Sequence, residues 1–148
     1  MHRLSVSKAA LWACVCLVLL ATACRATTDG ETAVLLNDTF TLGYGQTAVL
    51  QAENLRLTFD AVLEDSRCPT QVQCFWTGQA RVTLIAQQGD AAPVTLEFNT
   101  NPAPGETVLS APFGSYQIDL QSLDPYPQDP DKPSIDGEYR VTLQVSQP

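Results

Sequence analysis

Asn54-Leu-Arg-Leu-Thr-Phe-Asp-Ala-Val-Leu-Glu64 decides the fold class. Leu55, Leu57, Phe59, Ala61 and Leu63 fall on one side of an extended chain, with Arg56, Thr58, Asp60 and Glu64 on the other. Successive side chains of a strand point to opposite faces, so this alternation predicts a strand with one buried and one wet face. That is the signature of antiparallel sheets. The pattern returns at 78–88, where Ala80, Val82, Leu84 and Ala86 oppose Arg81, Thr83 and Gln87. It returns again in Val94/Leu96/Phe98, in Tyr116/Ile118/Leu120 and in Tyr139/Val141/Leu143/Val145. Shorter candidates lie at 39–42, 47–51 and 107–110, and turn-forming residues such as Gly43-Tyr-Gly45, Gln88-Gly-Asp90 and Phe113-Gly114 fill the gaps. About seven to eight short strands at this spacing predict an all-β antiparallel β-sandwich of immunoglobulin-like architecture, with a small β-barrel as the alternative. The one long connection, 122–136, carries Asp124-Pro-Tyr-Pro-Gln-Asp-Pro-Asp-Lys-Pro133, whose four prolines keep it out of a sheet interior.

Between the first two of these strands lies Cys68-Pro-Thr-Gln-Val-Gln-Cys74-Phe-Trp76-Thr-Gly78. A disulfide between Cys68 and Cys74 closes a loop that in the chain-entropy picture contributes roughly 2.4 kcal/mol. As a staple it fixes the start of the next strand. As a binding element it presents Pro69, Thr70, Gln71, Val72 and Gln73 to a partner. A redox role is disfavoured, because thioredoxin-like chemistry uses two intervening residues at a helix start and here five precede a strand. If the strand runs unbroken from Cys74, the even positions Cys74, Trp76, Gly78, Ala80 and Val82 share the apolar face. Trp76 is then expected in the core beside the disulfide, with Phe75 outward unless a bulge at Gly78 switches faces.

The N-terminus reads as an export leader. His2, Arg3 and Lys8 precede the apolar run 9–20 and the small residues Ala21-Thr-Ala23. The run is too short for a permanent transmembrane helix, which needs roughly 20 residues. Ala21-Thr-Ala-Cys24 resembles the lipobox in which the cysteine becomes a lipidated first residue, although Ala21 stands where that motif has Leu. Ordinary cleavage and secretion is the alternative. The expected organisation is a signal peptide at 1–23, lipidated Cys24 with a flexible tether over 24–36, and one sandwich domain over 37–148. Cys14 and Cys16 leave with the leader and lipid caps Cys24, so Cys68 and Cys74 remain as an even pair in an oxidising compartment. From Cys24 onward there are 125 residues, sufficient for one domain.

Composition excludes several functions. Loss of Arg3 and Lys8 leaves six basic against sixteen acidic residues, a net charge of −10. That chain has no electrostatic footprint for nucleic acid. The only histidine is His2, in the leader, so histidine-based nucleophile activation and zinc sites are absent after cleavage. No phosphate-binding glycine loop occurs. Glu64, Asp65, Asp119 and Glu138 are available carboxylates, but they fall on wet faces or in loops and no spacing pairs them. Asp124, Asp129, Asp131 and Asp136 could offer oxygen ligands to calcium, yet their spacing matches no calcium loop. No catalytic residue, metal or cofactor is therefore assigned. Asn37-Asp-Thr39 is a glycosylation sequon without consequence in a bacterial host.

Glu64-Asp-Ser-Arg-Cys68-Pro…Cys74-Phe-Trp76-Thr-Gly78, with Ala80-Arg-Val82, Leu123-Asp-Pro-Tyr-Pro127 and Tyr139-Arg-Val-Thr-Leu143, resembles a group of small uncharacterised bacterial exported proteins. The group shares an Asp-Ser-Arg-Cys-Pro…Cys-x-Trp-x-Gly signature. The resemblance covers most of the chain beyond the leader and implies an exported β domain without a mechanism. Together these readings predict a lipoprotein of the bacterial cell envelope, extracytoplasmic and membrane-held through Cys24. It would act as a non-enzymatic binding or envelope-structural module with an unidentified protein partner. The alternative is an inhibitor-like protein presenting the Cys68–Cys74 loop to an envelope or secreted enzyme.

Overall fold

The computed structural model describes residues 30–76, 78–101 and 109–148. The leader, Cys24, the tether as far as residue 29 and the start of the 107–110 candidate lie outside the described residues. Among the described residues nine strands form two sheets: β1 Glu31–Ala33, β2 Thr39–Gly43, β3 Thr47–Leu50, β4 Leu55–Asp65, β5 Ala80–Gln88, β6 Val94–Asn99, β7 Ser110–Phe113, β8 Tyr116–Asp124 and β9 Arg140–Ser146. One sheet has the order β1-β3-β4-β5-β6 and the other β2-β9-β8-β7, with no closure into a barrel. The fold is the expected all-β sandwich. It departs from a purely antiparallel one only where β1 pairs in parallel with β3. That pairing places 31–33 in a sheet rather than in the expected 24–36 tether, and Val34 and Leu36 pack against the core.

The inner faces meet in one core. Leu55, Leu57, Phe59, Val82, Leu84 and Phe98 from the first sheet meet Leu42, Ile118, Leu143 and Val145 from the second. All but Leu42, on a short segment to which the sequence assigns no face, are residues that the alternation places inward.

Two β-bulges in β4 then change what the chain presents. The β4–β5 register shifts between Phe59 and Ala61, and again between Val62 and Glu64. Each extra residue exchanges the faces of everything downstream. Leu63, expected inward, becomes a bulged residue 50% exposed. The second bulge undoes the first, so Asp65, expected on a wet face or in a loop, has the inward parity of Leu55, Leu57 and Phe59 and lies opposite the buried Ala80. A shift between Leu120 and Ser122 acts in the same way on β8 and carries Leu123 into the core.

Strand directions sort the connections into two ends. The Cys68–Cys74 segment, the 43–47 turn and the 125–139 connection gather at the end where β4 and β8 finish. Because β1 starts opposite Thr47 and Thr47 opposite Thr58, the chain enters the fold pointing from this same end. A 3-10 turn at Asp136–Glu138 closes the long connection before β9.

Candidate functional site

Asp65 and Arg67 stand at the base of the cysteine segment with side chains each 7% exposed. Arg67 donates from Nε to Asp65 Oδ1 at 2.8 Å and from Nη2 to Asp65 Oδ2 at 2.7 Å, a two-pronged guanidinium–carboxylate pair. Its Nη1 donates to the Leu123 carbonyl at 2.7 Å, and Nη2 also reaches the Pro125 carbonyl at 3.0 Å. The guanidinium lies 4.8 Å from the centre of the Tyr126 ring, within cation–π range. Tyr139 completes the group by donating its hydroxyl to Asp65 Oδ2 at 3.1 Å. Burial, then the charge of Asp65 and its hydrogen bond, push the Tyr139 pKa up, partly opposed by Arg67 and a Ser134 hydrogen bond.

This buried cluster ties the ends of β4 and β8 to the start of β9. Its donors and acceptors face one another, which is how burial of a charged pair is sustained. Asp65, considered a free carboxylate from the sequence, is consumed here. The other three carboxylates are engaged separately: Glu64 accepts from Ser66 and Gln79, Asp119 from Ser110 and Gln117, and Glu138 from the Ile135 amide. Among the described residues no three His, Cys, Asp or Glu groups converge as a metal site would require. In the acidic connection, Asp124 accepts from Ser122, while Asp129 accepts from the Asp131 amide and lies near Lys132.

Cys68 and Cys74 form the disulfide, with Cα atoms 5.9 Å apart. The loop they close leans on the proline-rich connection. Thr70 N donates to the Pro127 carbonyl at 3.0 Å and Gln71 N to the Gln128 carbonyl at 3.1 Å. Thr70 Oγ1 adds a 2.9 Å bond to Gln128 Oε1. Of the expected binding loop, Pro69 is half-buried, whereas Thr70, Gln71, Val72 and Gln73 are exposed. Val72 N also donates to the Pro69 carbonyl at 3.3 Å, so three of its backbone donors are already in use.

The expectation for Trp76 is overturned. Trp76 is 72% exposed, and Phe75 has no cover at all. Cys74 is exposed as well. Strand parity cannot be counted through this segment, because β5 begins only at Ala80. Gly78 interrupts the alternation in the left-handed region, φ +68°, where a Cβ would lie 1.7 Å from the Ser66 carbonyl oxygen. Only glycine permits that approach. Ser66 N then donates to the Gln79 carbonyl at 2.7 Å, restarting the ladder out of step with Cys74.

Beside Gly78 is a cleft of about 390 Å³ bordered by Arg67, Asn101, Leu123, Asp124 and Tyr126. Asn101 Nδ2 donates across it to the Gly78 carbonyl at 2.9 Å. The sequence reading missed Arg67, Tyr126 and Tyr139. A signal for the first was present, since Asp65 and Arg67 are two apart and on extended chain share a face.

No protein-family model, curated protein sequence or solved structure matches the chain.

Proposed function

We propose that the chain is an extracytoplasmic lipoprotein of the bacterial cell envelope, held to a membrane through Cys24, whose β-sandwich acts as a non-enzymatic binding or structural module. The observation that carries this reading is the Cys68–Cys74 disulfide on a solvent-facing segment of a chain that begins with a leader-like sequence. Such bonds persist in oxidising compartments and are rare in the cytosol. The buried Asp65–Arg67–Tyr139 cluster supports the non-enzymatic part: its charged groups bind one another and leave none poised toward a substrate.

The inhibitor-like alternative stands second. Substrate-like inhibitors offer free backbone groups to the target's strand edge, whereas the Thr70 and Gln71 amides are spent on Pro127 and Gln128. Metabolic labelling with a palmitate analogue tests the anchor. The wild-type chain should be labelled and Cys24→Ala should not; equal, background-level signal from both refutes the anchor.

A further inference from the structure

Exposed apolar side chains are unevenly placed on this sandwich. Of the large ones left in water among the described residues, only Leu35 and Val94 lie at the end remote from the disulfide. Val72, Phe75, Trp76, Tyr126 and Ile135 all lie on or around the disulfide end, with Phe75 and Trp76 foremost. Residues 68–80 contain no charged side chain, in a chain with 24 charged residues. The disulfide and the two backbone bonds to Pro127 and Gln128 hold this segment in place without covering its aromatics. A fixed, uncharged, aromatic projection has the composition that favours the water–bilayer boundary, where indole and phenyl rings bury apolar area beside polar groups.

The chain outside the structure says which surface this end meets. Glu31 lies in register with Thr47 and Thr47 with Thr58, and β4 continues to Asp65, so the end of β4 lies up to about 23 Å beyond the start of β1, with the Cys68–Cys74 segment following it. The seven residues from Cys24 to Glu31 span at most about 25 Å. A bilayer holding Cys24 therefore lies no more than about 25 Å from the start of β1, a distance comparable with the projection of the loop end. The tether is long enough to reach past the loop end only when almost fully drawn out.

We propose that Phe75 and Trp76, at the tip of the Cys68–Cys74 segment, insert into the interface of the membrane to which Cys24 is anchored, fixing the orientation of the domain. This rests on the lipoprotein reading. The acidic connection beside the tip, with Asp129 and Asp131, sets the lipid preference: the tip favours zwitterionic over anionic headgroups, and the difference fades at high salt.

The test needs no native lipidation, so the two readings can fail separately. The chain beginning at Cys24 is coupled through that thiol to maleimide lipid in phosphatidylcholine vesicles. Trp76 is then its only tryptophan, since Trp12 lies in the leader. The expected result is a blue shift of Trp76 emission on coupling, with quenching by lipids brominated near the headgroup. Phe75→Ser should lower the docked-to-undocked ratio roughly tenfold, equivalent to about 55 Å² of apolar surface returned to water. Replacing part of the phosphatidylcholine by phosphatidylglycerol should reduce quenching at low salt. Vesicle-coupled protein whose Trp76 stays water-like and unquenched overturns the proposal, leaving the tip free for a protein partner. Quenching that Phe75→Ser does not change overturns it too. Failure of palmitate labelling, by contrast, removes the native anchor without altering these readouts.

Discussion

Arg67→Met tests how the disulfide end is held together. The substitution keeps much of the stem but removes the two bonds to Asp65, the bonds to the Leu123 and Pro125 carbonyls, and the contact with Tyr126. It leaves the Asp65 carboxylate 7% exposed with Tyr139 as its remaining strong donor. Stranding one member of a buried ion pair costs about 3–5 kcal/mol. A domain of this size has about 5–15 kcal/mol in total. A loss near 4 kcal/mol should lower the urea midpoint by roughly 3 M, taking a slope of about 1.5 kcal/mol per molar. The second arm combines Asp65→Asn with Arg67→Met. Because the carboxylate is the group left unpaired, the double variant should be more stable than the sum of the single losses predicts, by about 2 kcal/mol. A single-variant loss under about 1 kcal/mol, or additivity within about 0.5 kcal/mol, would refute the idea that this pair organises the loop end.

Gly78→Ala should destabilise by at least about 3 kcal/mol in the same assay, because its Cβ would collide with the Ser66 carbonyl at a left-handed φ. An unchanged midpoint contradicts that close approach. Phe75→Ser and Trp76→Ser, in contrast, should each change stability by no more than about 0.5 kcal/mol, as both rings are exposed; a large loss would return Trp76 to the core. Joint replacement of Cys68 and Cys74 by Ser should cost about 2.4 kcal/mol while leaving a folded sandwich by circular dichroism. The raised pKa of Tyr139 means that its stabilising effect is complete below the unfolded value near 10 and is lost as pH rises through the higher folded value. Melting temperature should therefore fall more steeply above pH 10 in the wild type than in Tyr139→Phe; parallel curves would exclude the contribution.

Much of the architecture was legible because burial on one face leaves a period-two trace that survives without tertiary knowledge. Leu55, Leu57, Phe59, Val82, Leu84, Val141, Leu143 and Val145 lie where that trace puts them. The disulfide was legible from cysteine bookkeeping, Cys68 and Cys74 being the even pair beyond Cys24. The boundary of the domain was less so: Glu31-Thr-Ala33 has no apolar alternation to betray β1, whose position comes from pairing with β3.

The candidate site lay beyond that logic for a definite reason. Alternation predicts a face only while the ladder stays in register, and a single bulge inverts every residue after it. Two bulges in β4 invert the face twice, so Leu63 is lost to solvent while Asp65 regains the parity of Leu55, Leu57 and Phe59 and faces inward; its partner Tyr139 comes from 74 positions away, which no local pattern shows. At Gly78 the backbone leaves the β region altogether, and with it the parity that assigned Trp76 to the core. The sequence by itself determined an acidic, all-β domain with one expected staple and no histidine after His2. Only the tertiary structure decided that the staple holds Phe75 and Trp76 in water and that an internal ion pair consumes Asp65. Bulges and left-handed glycines are resolved by long-range packing, which local periodicity does not encode.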